Sequence, residues 1–211
     1  MKLYLESDKK KVNKKLIIEI LIFIVVLIAT VLLAYVIVNY TVESTTVYED
    51  SMSPTLLEED EVLINKFEYR FSDPDRFDVI VFIKTDREHS YYNIKRIIGI
   101  PGETIQITDD GILVDGKVLE DIVEVEDMHN YGLAKEVISL EENEYFVLGD
   151  NRNSSEDSRF ANVGTILRDD ILGKAWIRTN NFNFISKLNL KENNPDIEEL
   201  EDNNIEDSTP Q

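Results

Sequence analysis

The sequence predicts a mostly β protein with one N-terminal transmembrane helix. Residues 20–38 contain no charged side chain, and the wider apolar run 16–40 is long enough to cross a membrane. A helix rises about 1.5 Å per residue, and a hydrocarbon core is about 30 Å thick. After this run, apolar residues fall into short stretches of strand length. Gly, Pro, Asn and Asp clusters separate these stretches, as turns separate strands.

The apolar run is predicted to be a retained anchor. It is apolar on all sides, which disfavours a buried core helix with a single apolar stripe. It exceeds the 7–15 residues of a signal-peptide core and lacks an A-x-A-like exit. Lysines at 9–15 precede it, so the N-terminus is expected in the cytoplasm and the rest outside. The predicted divisions are a cytoplasmic basic N-terminus (1–15), a transmembrane anchor (16–40), an extracytoplasmic domain (41–190) and a disordered acidic tail (191–211).

Alternating and continuous apolar runs predict the strands of the extracytoplasmic domain. They lie at 61–67, 78–83, 93–100, 104–108, 112–114, 117–119, 144–148 and 171–177. The turn signals DDG and DG join three of these strands into a tight meander. Residues 120–144 are acidic and show no period, so they are predicted to be a surface excursion.

The composition excludes several classes of function. Without cysteine there is no disulfide, no Cys-ligated zinc and no thiol nucleophile. His89 and His129 lie in polar surroundings without metal-binding spacing, so neither a metal site nor a Ser-His-Asp triad is predicted. Residues 1–40 contain six lysines and three acidic residues and carry a net charge of +3. Because the whole chain has a net charge of −20, the remaining residues carry −23. Such an acidic domain repels phosphates, and nucleic-acid binding is not expected.

The first candidate for chemistry is a serine in the stretch EDSMSPTL, which follows the anchor. Pro54 fixes its own φ and biases Ser53 toward an extended conformation. Ser51 and Met52 are therefore expected on a stiff turn. A serine there can act as a nucleophile, but it can equally be an ordinary turn residue, and this stretch leaves both readings open.

The second candidate is Lys95, which lies inside the apolar strand 93–100. Its amine either reaches water or is buried, and burial would lower its pKa toward neutrality. A neutral lysine can take the proton of a serine hydroxyl during attack on a carbonyl. Arg96 follows it and is expected on the opposite face of the strand.

The third candidate is the polar segment GDNRNSSEDSR, which follows the strand 144–148. It could be a solvated loop or a packed polar network. Asp157 with Arg159, and Asp150 with Arg152, can form charge-assisted pairs that hold such a loop. The hydroxyl of a residue such as Ser155 could orient a lysine amine.

Together these segments resemble bacterial type I signal peptidases, the membrane-anchored Ser-Lys endopeptidases, over roughly residues 9–177. The similar segments follow one anchor in the family's order, at 51–56, 60–66, 76–82, 95–103 and 149–159. The short interval before the last segment is similar to the compact Gram-positive type. The resemblance implies an antiparallel β-sheet catalytic domain of signal-peptidase type that needs no cofactor and no metal.

The resemblance also implies roles for individual residues. Ser51 would be the nucleophile and Lys95 the general base. Orientation and structural support would come from Ser155, Asp157, Arg159, Asp150 and Arg152. The substrates would be exported preproteins, cut after the signal peptide beside the membrane lipid at the outer face of the cytoplasmic membrane. The substrate would lie extended between the strand edges 47–49 and 92–94 with its small side chains in apolar pockets. It would contact Val47, Glu49, Met52, Leu56, Tyr92, Asn93 and Ile94.

Three positions depart from the family pattern. Glu49 stands where Gly or a hydroxyl residue is usual, and a carboxylate there would repel an oxyanion; losing one oxyanion donor costs ~10²–10³ in rate. Glu59 and Phe77 stand where Gly is usual. Glu49 favours an alternative function, a non-catalytic or specialised membrane-anchored assembly factor for surface fibres or pilins. A self-cleaving Ser-Lys repressor-type protease is disfavoured by the anchor and by the lack of a basic DNA-binding region.

Overall fold

The computed structural model describes residues 14–85, 90–188 and 190–191, which form an N-terminal helix and a β domain. Helix α1 spans Lys14–Thr41. Its segment Lys14–Val38 is long and apolar enough to cross a membrane, and its apolar side chains are exposed. The predicted run 16–40 is therefore continuous helix. Residues 1–13, with most of the predicted basic segment, lie outside the described residues.

The β domain consists of two sheets in which all paired strands are antiparallel. The strands are β1 (Val42–Thr46), β2 (Glu61–Asn65), β3 (Val79–Thr85), β4 (Ser90–Gly99), β5 (Thr104–Thr108), β6 (Gly111–Val114), β7 (Lys117–Val118), β8 (Ile138–Ser139), β9 (Glu144–Leu148), β10 (Ile166–Leu167), β11 (Ile171–Arg178) and β12 (Asn183–Phe184). The larger sheet has the order β1-β2-β11-β3-β4-β9-β10, with β12 beside β11, and the smaller has the order β7-β6-β5-β8. The mostly antiparallel β fold is confirmed.

Single 3₁₀ turns connect several of the strands. They span Asp50–Met52, Glu68–Arg70, Gly132–Lys135, Arg168–Asp170 and Ile185–Lys187. The first of them carries the candidate serine. It packs into a core cluster that contains Met52, Leu56 and Val81, so the serine turn rests on the larger sheet.

The prediction that residues 120–144 form a surface segment is wrong for part of this stretch. This stretch buries the apolar side chains of Ile122, Val123, Ala134 and Leu140. It also contributes β8, which pairs with β5. Single apolar side chains that pack into a core need no period, so the pattern gave no sign of them.

The predicted tail begins at 191, but Lys191 still contacts the β domain. Its N–H donates a hydrogen bond to the carbonyl of Ile122 at 2.8 Å. Residues 192–211 lie outside the described residues, as does His89. The boundaries of the predicted divisions remain predictions.

Candidate active site

Ser51 lies in the 3₁₀ turn Asp50–Met52 and is 5% exposed. The turn is held by the fully buried side chain of Met52 and by the extended backbone of Ser53 that precedes Pro54. Ser51 is the second residue of this turn, and the first N–H groups of a helix have no partner within it. The serine is thus fixed beneath the surface with a backbone donor beside its hydroxyl.

Lys95 lies on β4 with its amine at the serine. Its Nζ donates a hydrogen bond to Ser51 Oγ over 2.7 Å, and the lysine is 1% exposed. Burial lowers the pKa of Lys95 below that of an ordinary lysine, while Glu49, Asp157 and Glu156 oppose this effect. A lysine that loses its proton more easily and touches a serine hydroxyl can serve as a base for that hydroxyl.

Glu49 directs its carboxylate toward the lysine amine. Its Oε2 lies 3.7 Å from Lys95 Nζ, and its side chain is 67% exposed. The residue that departs from the family pattern therefore forms an ion pair with the candidate base.

Ser155 lies close to the serine turn, but its hydroxyl makes no hydrogen bond. Its Oγ is buried and has no partner among the described residues. It packs against Gly149, where an added Cβ would overlap both Ser155 Oγ and the carbonyl of Ser51. Gly149 therefore allows the polar loop 149–159 to approach the serine turn. This role was not predicted from the sequence, although a glycine in a strand pattern can mark a close approach of the backbone.

Asp157 and Arg159 form the predicted pair. Arg159 Nε donates to Asp157 Oδ1 and Nη2 donates to Oδ2, each at 2.8 Å, and both side chains are buried. Asp157 Oδ2 also accepts the N–H of Gly149 at 3.1 Å. Arg159 Nη2 donates to the carbonyl of Arg152 at 2.6 Å. The pair thus fixes both ends of the loop.

The predicted pair between Asp150 and Arg152 is wrong. Asp150 instead accepts two hydrogen bonds from Arg96, at 2.8 and 2.7 Å, whereas Arg152 pairs with Asp121. Arg152 Nε also donates to the carbonyl of Gly149 at 3.0 Å. The two side chains find partners across the fold because both are buried, and a buried charge needs a partner with good geometry.

Three further hydrogen bonds join the loop 149–159 to the serine turn and the residues after it, and none of them was predicted from the sequence. The N–H of Asn151 donates to the carbonyl of Ser51 at 3.1 Å, and its Nδ2 donates to the carbonyl of Asp50 at 3.1 Å. Thr55 Oγ1 donates a hydrogen bond to Asp150 Oδ2. The loop therefore holds the backbone of the nucleophile candidate directly.

A cavity of about 530 Å³ opens at Ser51. It is lined by Thr45, Thr46, Val47, Tyr48, Glu49, Ser51, Met52, Tyr92, Asn93 and Ile94. Most of the predicted substrate-binding residues are among them. Leu56 is not: its side chain is fully buried in the core.

One of the two predicted strand edges has the geometry of an open edge. β4 pairs with β3 along Val79–Thr85, but β9 pairs with β4 only from Arg96 onward. Within the described chain, Tyr92, Asn93 and Ile94 therefore have a strand neighbour on one side. The other predicted edge differs, because Val47 already uses both backbone groups in hydrogen bonds with residues 59 and 60.

The described residues contain no group of three or more His, Cys, Asp or Glu side chains that could hold a metal ion. His129 is exposed. The site thus consists of a hydroxyl, an amine, a backbone donor and an extended groove.

Comparison with known proteins gives consistent matches. Residues 17–179 match the family described as signal peptidase, peptidase S26. The chain is 38% identical over 133 residues to probable signal peptidase I-2 of Synechocystis sp., covering 61% of this chain and 58% of that one. It is 38% identical over 135 residues to signal peptidase I of Leptolyngbya laminosa, covering 61% and 64%. The alignments thus span about three fifths of the length of these two relatives.

Two further matches come from Gram-positive species. The chain is 37% identical over 135 residues to signal peptidase I V of Bacillus subtilis, covering 58% of this chain and 77% of that one. A crystal structure of a signal peptidase I from Enterococcus faecalis V583 is similar at 30% identity with a TM-score of 0.39, covering 49% of this chain and 97% of that one.

Proposed function

Because this chain belongs to the signal peptidase family of S26 peptidases, we propose that it is a serine endopeptidase that removes signal peptides from exported preproteins with a Ser-Lys dyad. The observation that carries the proposal is the 2.7 Å contact between Lys95 Nζ and Ser51 Oγ in a buried setting. An amine in contact with a hydroxyl, away from water, is the arrangement that Ser-Lys hydrolysis requires.

In the proposed first step, the neutral amine of Lys95 takes the hydroxyl proton of Ser51 while Oγ attacks the scissile carbonyl. The carbonyl oxygen becomes an oxyanion, which the N–H of Ser51 can stabilise. The lysine then gives the proton to the leaving amine, and the C–N bond breaks to leave an acyl-enzyme. Water attacks the ester with the same lysine as base, and the serine regains its proton.

The substrate would bind as an extended chain along the open edge of β4 at residues 92–94. Backbone hydrogen bonds to a strand edge give affinity, while pockets for alternate side chains give specificity. Val47, Met52 and Ile94 are the aliphatic residues and the methionine of the cavity lining, and apolar walls suit small side chains before the cut. Helix α1 would anchor the chain in the cytoplasmic membrane, with the β domain at its outer face.

The experiment is cleavage of a preprotein with a signal peptide ending in Ala-x-Ala by the full chain in detergent micelles. We expect Ser51→Ala and Lys95→Ala each to lower kcat/KM by about 10³-fold or more, as losses of nucleophile or base do. Matched controls are Ser154→Ala and Lys117→Ala, which change exposed residues and should retain activity. Equal activity of the wild type and either dyad variant would refute the dyad. A folded wild type that cleaves nothing would favour the assembly-factor alternative.

A further inference from the structure

Glu49 and Lys95 form an ion pair that the Ser-Lys mechanism does not need. The carboxylate lies 3.7 Å from Nζ, and Nζ also contacts Ser51 Oγ at 2.7 Å. A base must be neutral to accept the serine proton, whereas an ion pair favours the ammonium form. The pair therefore opposes the state in which the lysine can act.

The other acidic groups that face Lys95 are already engaged elsewhere. Both oxygens of Asp157 accept hydrogen bonds from Arg159, and one also accepts the N–H of Gly149. Glu156 is exposed and accepts a hydrogen bond from Asn162 at 2.7 Å. Glu49 is thus the carboxylate with an ion contact to the amine in the described chain.

Exposure of one partner does not cancel this effect. Two fully exposed charges interact weakly, because water screens them and both side chains are free to move. Here the lysine is 1% exposed, and the carboxylate, which lines the cavity at Ser51, is 67% exposed. Where water is partly excluded, the electrostatic attraction between two opposite charges at a given distance is stronger. Burial lowers the pKa of Lys95, and Glu49 is the strongest of the groups that oppose this shift.

We infer that Glu49 is a positioning residue that attenuates Lys95. Its carboxylate favours the charged form of the amine, so that a smaller fraction of molecules contains the neutral lysine that activates Ser51. This inference rests on the proposed Ser-Lys function. Glu49 was expected to repel the oxyanion of the substrate, whereas in this inference it acts on the protonation of Lys95.

The test compares wild type with Glu49→Gln in the full chain in detergent micelles, because glutamine keeps the size of the side chain and removes its charge. We expect kcat/KM to rise by about three- to tenfold at pH 7. The gain should vanish at high pH, where Lys95 is neutral in both proteins. Glu58→Gln removes the same charge from an exposed residue of the next turn and should leave the pH profile unchanged.

A second readout follows the lysine without using activity. NMR of ¹³Cε-labelled lysine, with Lys95→Met to identify the signal, should show that the Lys95 midpoint moves to lower pH in Glu49→Gln. A shifted midpoint without cleavage by either protein would support the inference and refute the proposed function. An unchanged midpoint would overturn the inference whether or not substrate is cut. An equal gain at all pH values would also overturn it, because Glu49 would then act on the oxyanion.

Discussion

Arg96 and Asp150 form a buried, bidentate ion pair that joins β4 to the loop after β9. Arg96 Nε and Nη2 each donate to one carboxylate oxygen, at 2.8 and 2.7 Å, and neither side chain is more than 1% exposed. Arg96 follows Lys95 on β4, while Asp150 precedes Asn151, which holds the carbonyl of Ser51. The pair thus couples the strand of the candidate base to the turn of the candidate nucleophile.

We predict that Asp150→Asn destabilises the β domain by about 3–5 kcal/mol. Removing one partner of a buried pair leaves the other charge without compensation. Thermal unfolding of the full chain in detergent measures the change. The matched control is Asp73→Asn, which breaks the Arg168 pair where Asp73 is 87% exposed, and should change stability by less than about 1 kcal/mol. Similar effects of both variants would contradict the prediction.

The same pair predicts how stability depends on acid. Burial opposes the ionisation of Asp150, but the charge and hydrogen bonds of Arg96 outweigh it and hold the pKa below its ordinary value. The unfolded chain therefore binds the proton first as pH falls. The stability contributed by Asp150 is complete above the ordinary aspartate pKa and is lost as pH falls through the lower folded value. Asp150→Asn should lack this part of the acid dependence.

We predict that Lys95→Met abolishes cleavage but stabilises the protein at pH 7. Methionine keeps most of the length of the side chain and removes a buried amine, while the partner Glu49 is 67% exposed and remains solvated. Replacement of buried ion pairs by apolar residues often stabilises by about 1–4 kcal/mol. Because burial lowers the pKa of Lys95, the unfolded chain binds its proton more readily between the folded and ordinary lysine values. Wild-type stability should therefore rise with pH across this window.

The measurement is the unfolding midpoint of both proteins from pH 7 to pH 11. The advantage of Lys95→Met should shrink as pH rises from the lowered folded pKa to the ordinary lysine pKa, and it should change no further above that value. Lys117→Met, at an exposed position on β7, should show no such trend. If Lys95→Met were less stable than wild type at pH 7, the prediction would be wrong. The contacts of the amine would then stabilise the protein by more than burial of its charge destabilises it.

The sequence predicted the central strands well and the polar contacts poorly. The predicted strands 104–108 and 144–148 match β5 and β9, since their alternating or continuous apolar runs report burial directly. β1 (VESTT) is polar and was missed, because it is a strand through its pairing with β2 rather than through its own pattern.

Ion-pair partners depend on register, which composition does not reveal. Asp150 was expected to pair with its sequence neighbour Arg152. The pairing of Arg96 with Leu148 between β4 and β9 instead brings Arg96 within reach of the residue two positions after Leu148. The approach of Lys95 to Ser51 was likewise expected from the family resemblance, since 44 residues separate them and no local pattern fixes that contact.

Glu59 and Phe77 show how the chain keeps turns where its relatives were expected to have glycine. Both adopt left-handed backbone conformations, with φ of 68° and 69°. Phe77 also packs against a core cluster, so its side chain offsets part of that strain. Glu59 is exposed, and its N–H donates to the carbonyl of Val47 at 2.9 Å, a bond that needs no side chain.

We therefore predict that Glu59→Gly stabilises the β domain by about 0.5–1 kcal/mol. An L-residue in the left-handed conformation costs about 1–2 kcal/mol, and glycine removes this cost in the folded state. Glycine also raises the conformational entropy of the unfolded chain, which offsets part of the gain in stability. The neighbouring Glu58 is exposed and lacks a positive φ, so Glu58→Gly should destabilise by a similar amount. In thermal unfolding, the midpoint should rise above that of wild type for Glu59→Gly and fall below it for Glu58→Gly. If both glycines lowered the midpoint, the left-handed turn at Glu59 would carry no strain that glycine can relieve.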